Sequence, residues 1–291
     1  MRRILLIIIF GFILSACGNK TSSDLENTSS QVIDPTVVLL TDTVGNPNTL
    51  KISSMLSQDR ALASAKEYGP RTGKWFEGEN GFNILTSTPS PVRQAGTDVG
   101  TGFSKVPEGR SVRFQITSRD KEGNRVELLK EYMVNNRNND TRQLDFTYQM
   151  PEQPDTNYLF SIEILSAENV VEDTFLTPLF VPAHELNARL SVKPPAVGSD
   201  QTALTLYNAG PTNLYFGYGY AIYREEPEGW TLVPDDRSVE TIAMQARPSE
   251  SYVEKVVLPQ KIEPGRYRLV KSFNGFMTDI SVKLAADFEI Q

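Results

Sequence analysis

The sequence predicts a mainly β protein: two tandem antiparallel β-sandwiches behind an apolar leader and a polar tether. Three observations carry that reading. From residue 106 onward, short runs alternate apolar and polar residues at period two. Gly, Pro, Asn and Asp punctuate those runs, as the turns of an antiparallel meander require. A weak internal repeat also places a corner, a strand and a closing strand twice over.

In residues 82–182 the alternating runs are Val112, Phe114 and Ile116, then Leu144, Phe146 and Tyr148, then Tyr158, Phe160, Ile162 and Ile164. Residues 170–181 complete the set, and Lys121 to Asn124 supply a turn. Residues 86–102 are dense in Pro, Thr, Ser and Gly and predict loop or irregular edge structure. Residues 182–186 read as a junction. Strands are expected after it at 188–193, 203–208, 214–225, 230–233, 252–258, 266–273 and 280–290. Seven strands between residues 183 and 291 is the size of one immunoglobulin-type sandwich.

The repeat pairs Met150-Pro151, Tyr158 and Phe180 with Leu258-Pro259, Tyr267 and Phe288. The Pro-to-Tyr gaps are 7 and 8, and the Tyr-to-Phe gaps are 22 and 21. Tyr158 and Tyr267 are therefore candidates for the tyrosine that ties a sandwich corner to its backbone.

At the amino end, Arg2 and Arg3 precede an uncharged run from Ile4 to Leu14. That run is too short for a membrane span of roughly 20 residues and matches the core of a cleavable export signal, residues 1–16. Leu14, Ser15, Ala16 and Cys17 resemble the lipobox of bacterial lipoproteins. The resemblance implies cleavage before Cys17, a diacylglycerol on its sulfur, and a protein held at the cell membrane facing outward. Cys17 is the single cysteine, so the body is expected to fold by core burial without disulfides. Loss of Arg2 and Arg3 lowers Lys+Arg from 29 to 27 against 36 Asp+Glu, a net charge of −9. Such an acidic body disfavours nucleic acid as a partner.

Residues 17–31 carry the lipidated cysteine and an Asn/Ser/Thr-rich tether of about 20 Å typical reach. Residues 32–81 form a less regular leader. A strand is expected at 32–40. A helix is expected at 50–68, where Ile52, Leu56 and Ala63 share a face and Gly69-Pro70 supplies a stop.

The second sandwich resembles a bacterial Ig-like domain family found on lipoproteins of Gram-positive bacteria. Leu204, Leu206, Tyr207 and Asn208 carry the resemblance, with Phe216, Gly217, Tyr218, Ile222, Tyr223, Gly229 and Trp230. Pro264 to Lys271 and Phe288 to Ile290 complete it. It implies a fold and a location and transfers no site; the first sandwich is Ig-like only in broad style.

Within 214–223, Leu214, Phe216, Tyr218, Tyr220 and Ile222 make a bulky face. Tyr215, Gly217, Gly219, Ala221 and Tyr223 make the other. A core strand whose glycines permit a bulge explains the pattern. A shallow groove rimmed by Tyr215 and Tyr223 over Gly217 and Gly219 is the candidate ligand site, for an envelope glycan or a protein.

No catalytic constellation is expected. His184 is the single histidine, in a context of Pro182, Ala183 and Glu185 without a nucleophile motif. Zinc would want several His or Cys ligands, and no metal or cofactor site is predicted. Asp235-Asp236 and Glu225-Glu226 read as solvated turn charge. The sequence thus points to a non-enzymatic binding or display protein of the envelope. An accessory or weak hydrolase acting on cell-wall polymer, and a structural spacer or assembly factor, are the two alternatives.

Overall fold

The computed structural model describes residues 35–77, 84–103, 106–135, 144–235, 238, 240, 242–259 and 262–291. Cys17, the expected export signal and the expected tether lie outside the described residues.

The described residues form sixteen strands in chain order: β1 (Thr43–Val44), β2 (Asp98–Phe103), β3 (Ser111–Arg119), β4 (Arg125–Asn135), β5 (Leu144–Gln149), β6 (Thr156–Leu165) and β7 (Val171–Val181), then β8 (Leu186–Val192), β9 (Gln201–Pro211), β10 (Leu214–Phe216), β11 (Ala221–Glu226), β12 (Gly229–Leu232), β13 (Met244–Ala246), β14 (Ser251–Val257), β15 (Gly265–Gly275) and β16 (Ser281–Ile290). They make a mainly β protein of antiparallel sheets packed as two Ig-like sandwiches.

In the first sandwich a sheet of order β4-β3-β6-β7 faces the pair β2-β5. Alternation along β3 and β6 sends Val112, Phe114, Ile116, Tyr158, Phe160 and Ile162 inward, where they meet Val99 and Phe146 of the other sheet. Phe114 stacks on Phe146 at 4.9 Å between centroids. In the second, β1-β8-β9-β14 faces a sheet in which β15 pairs with β16 on one side and with β10 and β11 on the other. Leu204, Leu206, Val256, Leu269, Phe273 and Leu284 fill that core. In both, the last two long strands form a hairpin: β6 with β7, and β15 with β16. The repeat in the sequence is thus the same final hairpin twice, with Tyr158 and Tyr267 near its start.

The leader differs most from expectation. Residues 37–39 form a 3-10 turn, so the described part of the expected 32–40 strand is not β. That turn packs Val37 against Trp230, Val270 and Ala285 on the outer face of the β15 sheet. Arg268 donates to the Val37 carbonyl at 2.8 Å and lies 4.4 Å from the Trp230 ring. β1 then pairs with β8, while the Thr41 carbonyl accepts from the Ala285 amide at 2.8 Å. The leader so covers an edge of each sheet, which would otherwise present unpaired backbone.

The helix expected at 50–68 shrinks to α1 (Gln58–Ser64), capped by the Ser57 hydroxyl. Residues before it are extended because their backbone groups have partners in the sandwiches. Lys51 N–H donates to Ala209 C=O at 2.8 Å, Ser54 N–H to Asp155 at 2.9 Å, and Leu56 N–H to Asn157 at 2.9 Å. Ile52 and Met55, on the expected helix face and its flank, are exposed. A side chain at Gly210 (φ +77°) would collide with the Lys51 carbonyl, so only glycine lets the leader lie against β9 here.

Residues 50–77 act as a strap. Past α1, Asp173 of β7 accepts the backbone N–H groups of Thr72, Gly73 and Trp75 at 2.8, 3.0 and 2.8 Å. Phe76 enters the first core just beyond. Strands β2 and β13 fall where loop is expected or where the pattern names nothing: β2 is largely Gly and Thr, and β13 spans three residues.

Candidate functional site

The strand expected at 214–225 is broken. β10 stops at Phe216 and β11 starts at Ala221, both pairing with β15. Gly217 and Gly219 lie in the break, so the proposed groove has no continuous strand as its floor. Tyr215 sits beside Phe276 (6.1 Å between centroids), while Tyr223 packs with the Val37 and Trp230 cluster. The two tyrosines do different jobs, and the glycines serve a purpose that sequence reasoning missed.

That purpose is an interior ion pair. Lys271 of β15 lies between Leu269 and Phe273, which both face the core, and its side chain is 0% exposed. Its ammonium donates to Glu254 of β14 at 2.8 Å, to the Gly217 carbonyl at 2.8 Å and to the Gly219 carbonyl at 3.3 Å. Three donors meet three acceptors, which is what makes a buried ammonium tolerable. The break in the strand turns the two carbonyls inward. Burial, then the nearby Glu254 charge and Tyr218, push the Tyr252 phenol up to about 12. Close by, the Tyr267 hydroxyl donates to the Glu263 carbonyl at 2.7 Å, four residues upstream, making the expected corner tie. Tyr158 is equally buried, but its hydroxyl neighbour is the Thr156 side chain.

His184 lies 2.6 Å from Asp279, both well exposed, and the bond to His184 holds the Asp279 carboxyl below its ordinary range. Glu225 and Glu226 stand at the end of β11 rather than in a turn, paired with Arg266 and Arg224. Asp235 is exposed, and Asp236 lies outside the described residues. Among the described residues, no three His, Cys, Asp or Glu side chains cluster to hold a metal, and no helix is long and apolar enough to cross a membrane.

The first sandwich carries a concavity. A cleft of about 560 Å³ runs along β7. Met55, Leu56 and Leu62 of the strap line it, as do Thr88, Pro89 and Pro91. Its floor includes Thr174, Leu176 and Pro178, with Arg71 and Glu77 among the polar groups at its boundary. Its volume falls within the 300–1,000 Å³ of ordinary ligand pockets. Thr174 is buried, and its hydroxyl has no hydrogen-bond partner among the described residues. Little in the sequence signals this cleft, because it exists only where the strap crosses the sheet.

Residues 184–289 match the Bacterial Ig-like domain family. The matched stretch holds the strand break, the Lys271–Glu254 pair and the tyrosine corner; the match does not extend to the sandwich bearing the cleft. No curated protein matches the chain. Solved structures similar to it include fibronectin(III)-like modules of Clostridium thermocellum CbhA, at 10% identity and TM-score 0.32, covering 71% of this chain and 93% of that one. A tetra-tandem repeat from the extending region of a large adhesion protein is 12% identical at TM-score 0.29, covering 71% and 48%. Red sea bream transglutaminase is 10% identical at TM-score 0.28. The match covers 74% of this chain, which spans only 33% of the enzyme.

Proposed function

We propose that the protein is a lipid-anchored, non-enzymatic binding module of the cell envelope, outward-facing, with the cleft along β7 as its binding face. The observation that carries the binding part is the cleft itself. It is bounded by the protein's own leader and lined by apolar side chains such as Met55, Leu62 and Pro89. The family match supports an Ig-like scaffold for the second sandwich, next in sequence to the one that bears the cleft. The anchoring part rests on the sequence around Cys17 alone. Two acyl chains would hold an acidic body that charge does not attract to the membrane, at about 0.8 kcal/mol per buried methylene.

The test has two arms. Cells fed a clickable fatty acid should label the wild-type protein and not Cys17→Ser; label retained on Cys17→Ser contradicts the anchor. Purified envelope fractions, peptide and glycan, should bind the mature chain and lose binding to Leu62→Arg, which puts charge on the cleft wall. Binding unaffected by Leu62→Arg contradicts the cleft.

A further inference from the structure

The floor of the cleft offers backbone as well as side chains. β7 pairs with β6 along one side, in unbroken register from residue 173 to residue 181. On its other side Phe180 N–H donates to Pro91 C=O at 2.8 Å, and Phe180 C=O accepts from Arg93 N–H at 2.9 Å. The backbone of Phe180 therefore points away from β6. Because strand backbone groups alternate sides with period two, Pro178, Leu176 and Thr174 point the same way.

The Thr174 N–H is taken by the Asp173 carboxylate at 3.0 Å. That leaves the N–H and C=O of Leu176 and the carbonyls of Thr174 and Pro178. All face the cleft and have no backbone partner among the described residues. The chain itself closes both ends of the stretch. The strap is bonded to Asp173 at one end, and Val92 bridges Phe180 in parallel at the other. The leader covers edges of the second sandwich, through β1 and the 37–41 segment; here a gap of one short strand is left inside a walled cleft.

We propose that the cleft takes an extended apolar polypeptide segment, which adds to β7 as a short extra strand opposite Leu176. Backbone bonds to Leu176 and to the flanking carbonyls fix its direction and register, and the walls at Met55, Leu62 and Pro89 take its alternate side chains. Pro178 has no N–H to offer, so pairing cannot run on along the edge, which guards it against indiscriminate strand addition. This inference rests on the cleft being the binding face and names its ligand class.

Random seven-residue peptides displayed on phage would be panned on the folded mature chain, and the enriched peptides measured by fluorescence anisotropy. Leu176→Pro deletes the Leu176 N–H, which has no backbone partner among the described residues, without touching the β6 ladder, a change that edge strands tolerate. Enriched peptides should bind Leu176→Pro at least tenfold more weakly. Methylating the peptide's own backbone nitrogens should abolish binding at every second position only. The methylation scan uses the wild-type protein, so it decides the matter even where Leu176→Pro misfolds. Equal binding to both proteins, indifference to methylation, or no enriched peptide overturns the proposal. Chitohexaose binding that Leu62→Arg abolishes would overturn strand addition while leaving the cleft as the binding face. Binding of neither class would sink both.

Discussion

Lys271 and Glu254 occupy buried positions among apolar side chains, and they show what a side chain's position costs when it is charged. Desolvating both ions is expensive, and the pair persists because Gly217 and Gly219 complete the ammonium's shell. Removing one partner leaves the other buried and uncompensated. Glu254→Leu or Lys271→Met should each lower unfolding stability by about 3–5 kcal/mol in urea titrations. The double variant, Glu254→Leu with Lys271→Met, should recover most of that loss; additive losses would contradict the account. The pair is not legible in the sequence. Alternating runs place Lys271 in a strand without settling its face, and the carbonyl acceptors belong to residues with no side chain to betray them. The Tyr267 corner is legible, because tyrosine after a Pro-Gly turn at a strand start is a local signal.

Two further carboxylates set the acid limit. Burial alone would raise the Asp287 pKa, but bonds to Arg268 and Arg266 outweigh it and hold the group below its ordinary value of 3.8. Glu172 behaves likewise: burial opposes, while Lys74, Arg110 and Trp75 hold it below 4.5. A lowered folded-state pKa contributes stability that is fully present above the unfolded value and is lost as pH falls through the folded one. Chemical denaturation midpoints should therefore hold from neutrality to about pH 5 and fall below the ordinary values of 4.5 and 3.8. Asp287→Asn should make the fall shallower; an unchanged acid profile would contradict the assignment.

At the scale of elements, the strap is where local pattern and outcome diverge. The spacing of Ile52, Leu56 and Ala63 suggests a helix, yet backbone partners on β9 and β6 hold residues 51–56 extended and only seven residues coil. Tertiary hydrogen bonding overrides helix pattern here, since a single short helix has little stability of its own. Asp173 is the clasp at the far end. Asp173→Ala should orphan three strap amides and cost about 1–3 kcal/mol. Amide exchange of residues 72–75 should accelerate by at least tenfold while that of β15 stays unchanged. Equal acceleration in both places would mean a global effect, and the strap would not be a separately fastened element.

For the whole molecule, the leader is part of both sandwiches rather than a stalk before them. It bonds to β8, β9 and β16 of the second and to β6 and β7 of the first. The strand runs, the final hairpins and the Ig-like style of the second sandwich are readable from alternation and turns, because those features are local and repeat. The cleft is not readable, because it is made by segments 100 or so residues apart in sequence, such as Leu56 and Asn157. On this account the chain is a tethered scaffold whose own leader shapes its binding face. The most direct test is photo-crosslinking in intact cells, with benzoylphenylalanine placed at Leu62 in the cleft wall or at exposed Val253 on the other sandwich. A discrete adduct is expected from Leu62, mapped by mass spectrometry to one extended apolar segment of an envelope polypeptide, and none from Val253. The same adducts from both positions, or none from Leu62, would contradict it.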